Sequence, residues 1–286
     1  MHAPVLFPAV AALVVVLVMA ATIGAPPPRN QFASAGVGSP LVAPTPPLPT
    51  GADVFIPKID VFGDSTALRT AFGLPGWGMR TAKLSVVVAE TRLGCSLGRG
   101  GVIDTFGRAQ ASGDECDAWP QRWRAAIEKR RPDAAMIQIG PWDVSARKRP
   151  GRQAFEHVGQ PDYDAFLKRE MHLAVDILSS TGAQVLWLTS PVIDLQRTAV
   201  PRTTEPLPAS DPIRMARLNE LIAEIAAERP DVVQVIDLAA HLRGSDEGEL
   251  DPALRPDGVH LSEEASIELA SWLGPKVLES LRLTGS

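Results

Sequence analysis

Val54-Phe55-Ile56-Pro57-Lys58-Ile59-Asp60-Val61-Phe62-Gly63-Asp64-Ser65-Thr66 decides how the rest of the chain is read. Val54 to Phe62 is a short β-rich run that stops at Gly63. A serine just beyond such a run sits at a strand-to-helix turn, with its hydroxyl exposed and its N–H aligned with the helix dipole. The plainer reading of Gly-Asp-Ser on its own is an ordinary helix-capping serine.

Working outward, apolar strands and amphipathic helices alternate to the end of the chain. Leu84 to Ala89, Ala134 to Ile139, Gln184 to Thr189 and Val232 to Leu238 read as further strands. Trp119 to Arg130, Tyr163 to Ser180, Pro212 to Glu228 and Ser262 to about Leu281 read as helices. Asp211 or Ser210 is the expected N-cap of the third, and Ser262-Glu263-Glu264 suits the start of the last. Short apolar strands separated by helices predict an α/β fold: a three-layer α/β/α sandwich around a five-stranded parallel sheet. The chemistry of such folds lies at the carboxyl ends of the strands. That directs attention to residues 63–66, 90–101, 140–147, 190–210 and 241–260.

The chain has 286 residues, a formal net charge of −5 and two cysteines. The acidic balance argues against nucleic acid as a partner. Two cysteines cannot build a disulfide scaffold or a four-cysteine zinc site. Five histidines without close His/His or His/Cys pairs give no metal-ligand pattern. No glycine-rich phosphate motif follows a strand, so neither metal nor cofactor is expected.

The first fifty residues are of different material. Met1 to Pro28 contains no Asp, Glu, Lys or Arg, and Val5 to Ala25 is a run of 21 almost unbroken apolar residues. As a helix it would span roughly 30 Å, the thickness of a bilayer core. We read residues 1–25 as a signal-anchor in preference to a cleaved signal peptide, and either sends the remainder across a membrane. Eight of the 24 residues from Pro26 to Pro49 are proline, so 26–52 reads as an extended linker. Residues 53–286 then form the folded domain.

Near the carboxyl end stands Arg255-Pro256-Asp257-Gly258-Val259-His260-Leu261-Ser262. A turn at Pro-Asp-Gly can place Asp257 and His260 on one side, so that the carboxylate holds the imidazole in one tautomer. A capping aspartate beside a surface histidine is the plainer reading.

Gly63-Asp64-Ser65 and the late Asp257-Gly258-Val259-His260 together resemble the SGNH, or GDSL-type, hydrolase family over about residues 55–282. The resemblance implies a flavodoxin-like SGNH fold with Ser65 as nucleophile, His260 as base and Asp257 as its partner. It also implies an oxyanion hole from the Ser65 N–H and a glycine after the second strand. Gly94 is the best match for that glycine, with Gly98 the alternative. The third family block, usually Gly-x-Asn-Asp, here reads Gly140-Pro141-Trp142-Asp143. Trp142 replaces the oxyanion asparagine, and loss of such a donor costs on the order of 10²–10³ in rate. Trp142 and Asp143 are carried as substrate-binding residues, although bracing of the loop after the third strand is the favoured reading of Asp143.

The Gly-x-Trp-Asp variant looks like SGNH domains that are fused to, or partner, membrane acyltransferases of bacterial envelopes. The implied activity is that of a serine esterase or O-acyltransferase acting on acylated envelope glycans, in an exported domain anchored at the membrane. A secreted lipase or thioesterase, and an inactive glycan-binding domain, are the alternatives. In an exported domain Cys95 and Cys116 are expected to form a disulfide, two buried thiols being the other reading. Arg147, Lys148, Arg149 and Arg152 read as a solvated basic loop or as an anion contact. Trp77 is a sugar-site or core residue, and His157, His172 and His241 have no motif partner.

Overall fold

The computed structural model describes residues 55–197, 206–245 and 248–282. The expected anchor (1–25) and linker (26–52) lie outside the described residues. No helix among the described residues is long and apolar enough to cross a membrane.

The strands are β1 (Lys58–Gly63), β2 (Ser85–Thr91), β3 (Val102–Asp104), β4 (Ala109–Ala111), β5 (Ala134–Gln138), β6 (Ala146–Lys148), β7 (Gln184–Leu188) and β8 (Val233–Ile236). The helices are α1 (Ser65–Ala71), α2 (Leu74–Thr81), α3 (Asp114–Asp117), α4 (Trp119–Arg130), α5 (Pro141–Val144), α6 (Pro161–Leu178), α7 (Pro212–Glu228), α8 (Leu238–Arg243) and α9 (Glu263–Arg282). Asp211 caps α7, its side chain accepting from the Ile213 N–H at 2.9 Å. At the other end of α4, Arg131 takes a left-handed conformation (φ 45°) that stops the helix.

The five long apolar runs make one parallel sheet in the order β2-β1-β5-β7-β8. Alternate residues of the central strands enter different cores. Ala135, Ile137, Val185 and Trp187 pack with residues of α4, α6 and α7, whereas Ala134, Met136, Leu186 and Leu188 pack with α1, α2, α8 and α9. Both faces are therefore covered, which is why these strands read as continuous apolar runs. Trp77 belongs to the second core, at 9 % exposure.

Strand order reverses between β1 and β5, because the chain leaves β1 toward β2 and leaves β5 toward β7. A crevice opens at the carboxyl ends of such a pair. The loops meeting there follow β1 and β5.

A second sheet was not expected. β4-β3-β6 is a small antiparallel sheet in which Ile103 pairs with Arg147. It ties the segment after β2 to the segment after β5. The basic cluster is corrected accordingly. Arg147 is fully buried and donates to the Gly100 carbonyl at 2.6 Å and to Ser96 Oγ. Arg149 makes a two-pronged pair with Glu156, at 2.7 and 2.9 Å. Arg152 reaches Asp162 from the surface. Strand pairing decides this, since β6 turns Arg147 inward.

Candidate active site

Gly63 ends β1 opposite Gln138 of β5, with φ 135°. A Cβ there would overlap the Gln138 carbonyl oxygen, so only glycine lets the two strands approach. Asp64 then caps α1, accepting the Thr66 N–H at 2.7 Å and the Thr66 hydroxyl at 2.5 Å. Full burial raises its pKa, with those bonds and nearby His260 only partly opposing the shift. Ser65 is the first residue of α1, where an N–H has no intrahelical acceptor. It is 8 % exposed.

The partner segment arrives from the far end of the sequence. Gly258 has φ 76°, and a Cβ there would overlap the Asp194 carbonyl oxygen. This tight turn lets Asp257 Oδ1 accept the backbone N–H groups of Val259, at 2.8 Å, and His260, at 2.7 Å. Its Oδ2 lies 2.6 Å from His260 Nδ1, and His260 Nε2 lies 2.8 Å from Ser65 Oγ. Burial raises the Asp257 carboxyl. The bond to the His260 ring and the two backbone donors outweigh it and hold the pKa well below the usual carboxylate range. The ionised carboxylate accepts from Nδ1–H, which leaves Nε2 as an acceptor for the serine proton.

Arg255 holds this loop in place. It is 1 % exposed and donates to the carbonyls of Val259 (2.9 and 2.7 Å), Glu249 (3.1 Å) and Val192. Burial lowers its pKa to about 10.

Ser65, Asp257 and His260 open on a pocket of about 520 Å³. Its walls include Leu68, Arg69, Leu93, Gly94, Trp142 and Leu261. Gly94 thus faces the nucleophile's pocket. Gly98 does not, because its N–H donates to Asp143 Oδ1 at 2.9 Å. Cys95 and Cys116 form a disulfide with Cα atoms 5.0 Å apart, immediately after Gly94.

Trp142 stands on the pocket wall, edge-on to Phe106 with ring centroids 6.1 Å apart. Asp143 takes the bracing role and not the substrate-binding one: it is fully buried and does not line the pocket. Its carboxylate accepts the N–H groups of Leu97, at 3.0 Å, and Gly98. Burial pushes its pKa up to about 7 against those bonds and the nearby Arg147. A residue one place after Trp142 on a short helix necessarily points elsewhere, and here it points at the β2 loop.

Arg69, Leu93 and Arg255 were not singled out from the sequence. Arg69 could have been, because it lies four residues after Ser65 and so shares its helix face. Among the described residues no three His, Cys, Asp or Glu side chains gather as a metal site requires. The geometry therefore defines a serine acyl-transfer site at the switch point of a parallel α/β sheet.

The GDSL-like lipase/acylhydrolase family matches residues 61–266, and the chain belongs to that family. It is accordingly a serine esterase-type enzyme. Among solved structures, a GDSL-like lipase from Bacteroides thetaiotaomicron is similar over 78 % of this chain and 88 % of its own, with TM-score 0.50 and 13 % identity. A candidate acylhydrolase from Bacteroides fragilis is similar over 80 % and 92 %, with TM-score 0.50 and 12 % identity. These likenesses are of fold. No curated protein matches the chain.

Proposed function

We propose that the protein is an exported O-acyl esterase or O-acyltransferase acting on acyl esters of cell-envelope glycans through an acyl-Ser65 intermediate. The observation that carries the chemistry is the continuous chain of hydrogen bonds from Asp257 through His260 to Ser65. As Ser65 Oγ attacks the ester carbonyl, His260 Nε2 takes its proton and Asp257 stabilises the imidazolium. The N–H groups of Ser65 and Gly94 are assigned to the oxyanion. The carbonyl re-forms, the ester C–O bond breaks, and His260 returns the proton to the departing alcohol. Water or a sugar hydroxyl then attacks the acyl-serine by the same steps in reverse.

Export is supported by the apolar run of residues 5–25 and by the Cys95–Cys116 disulfide, since such bonds persist in oxidising compartments. The glycan class, the envelope location with its membrane anchor and a membrane acyltransferase partner rest on the Gly-x-Trp-Asp resemblance. Trp142 on the pocket wall favours a second reading, a sugar-binding domain of weak or no activity.

The test is an activated acetyl ester given to the protein and to Ser65→Ala and His260→Ala. A burst of one equivalent, with the acetyl group on Ser65, is expected from the wild type alone. No acylation by any of several acyl esters would leave the sugar-binding reading standing. Adding a sugar acceptor separates the two activities, acetylated sugar marking a transferase and free acetate an esterase. Preference for long-chain or thioester substrates would favour a lipase or thioesterase.

A further inference from the structure

Among the described residues, the catalytic pocket contains one arginine without an acidic partner. Arg69 lines it together with Ser65 and His260. It lies one helical turn beyond Ser65 on α1, displaced about 6 Å along the axis. Its Nε donates to the Leu261 carbonyl at 2.9 Å, which fixes the guanidinium plane. The same guanidinium lies 5.6 Å from the centre of the Phe72 ring. Arg69 forms no ion pair within 4 Å among the described residues, unlike Arg99, Arg122, Arg130, Arg149, Arg197 and Arg217. Asp257, the one carboxylate among the described residues of the pocket wall, is engaged by His260 and two backbone N–H groups.

An arginine held by Nε keeps its two terminal amino groups as a fork, the arrangement that grips a carboxylate or phosphate. The charge is half-buried beside apolar Leu68, Leu93 and Trp142, where its attraction for an anion is stronger than in bulk water. In a chain of net charge −5, an arginine beside the nucleophile with no ion-pair partner among the described residues is a selective feature. The geometry points to Arg69 as a specificity residue: the ester accepted here carries an anionic group, carboxylate or phosphate, a few ångströms from the scissile carbonyl. This deepens the esterase or transferase reading and rests on it for the chemistry, though not for the binding.

The test uses matched esters of one framework: 4-acetoxybenzoate, 4-acetoxyphenyl phosphate and the neutral 4-acetoxybenzamide. Each is given to the wild type, Arg69→Gln and Arg69→Lys, and kcat/KM is measured for each. The ratio of anionic to neutral kcat/KM is expected to fall about tenfold in Arg69→Gln, mostly through KM, and to recover in part in Arg69→Lys. The benzoate and phosphate arms show which anion is preferred. In the wild type, raising the salt concentration should lower that ratio, a readout that needs no variant to fold. Equal losses for all three esters, or a ratio insensitive to salt, would reduce Arg69 to a brace for Leu261 and overturn the proposal.

Binding of the alcohol products, 4-hydroxybenzoate against 4-hydroxybenzamide, is measured by titration calorimetry on the same proteins. If no ester is turned over, the serine reading fails while this comparison still decides the role of Arg69. Tighter binding of the benzoate, lost in Arg69→Gln, supports it; equal binding overturns it.

Discussion

Asp257 and Asp143 each accept two backbone N–H groups within a loop, one from Val259 and His260, the other from Leu97 and Gly98. Asp257 is half-exposed and also faces the His260 ring, and its pKa is driven down. Asp143 is sealed in the core, and its pKa rises to about 7 although Arg147 is close. Two backbone donors alone do not set the ionisation of a carboxylate; full burial raises the pKa of Asp143, and the further bond from the His260 ring helps to lower that of the less buried Asp257. The first arrangement holds a charge ready for chemistry, and the second holds a loop.

The sharpest way to break this contrast is at the reacting atoms. Ser65→Ala and His260→Ala should each reduce kcat by roughly 10⁶, and the double variant should lose no more than either alone. Additive losses in steady-state kinetics would show that the two side chains do not act as a unit. Asp257→Asn comes next. Its amide oxygen can still accept the backbone N–H groups, but the charge facing the imidazole is gone, and kcat should drop by about 10⁴ with little change in KM.

On the structural side, Asp143→Ala leaves the Leu97 and Gly98 N–H groups buried without an acceptor. It should destabilise the fold by about 3 kcal/mol in urea titrations. The two carboxylates should also bend the stability-against-pH curve in opposite senses. Asp143 has a raised native pKa, so its contribution is full below the ordinary carboxylate value and is lost as pH rises through about 7. Asp257 has a lowered one, so its contribution is full at neutral pH and is lost in acid. Tm measured from pH 3 to 8 should therefore fall less steeply between pH 4 and 7 in Asp143→Asn than in the wild type. The smallest effect is expected from Trp142→Asn, which restores the carboxamide of the family pattern at the pocket wall. A rise in kcat of about tenfold would identify the missing oxyanion donor.

Much of the fold was legible because the parallel strands are buried on both faces and so appear as apolar runs. The four helices read from spacing appear within about two residues of their expected ends. The runs that escaped are short. β3, β4 and β6 have three residues each, too few for a period of two to register. α2 begins Leu74-Pro75-Gly76, which reads as a turn. The site was legible where a motif fixes backbone and side chain together, as in Gly63-Asp64-Ser65 and Asp257-Gly258-Val259-His260. It was not legible where direction alone decides. Trp142 and Asp143 are neighbours, yet one lines the pocket and the other seals the core. Arg147 looks like a surface residue until β6 places it opposite Ile103.

The bond between Ser65 and His260 closes a separation of 195 residues. Contacts so distant in sequence carry a large loop-closure cost and belong to the late stages of folding. The short Gly-Asp-Ser turn can form locally, but its partner arrives only when the segment ahead of α9 docks against α1. Return of esterase activity during refolding therefore times the meeting of the two segments that carry Ser65 and His260, and circular dichroism, which follows the helices, should recover ahead of it.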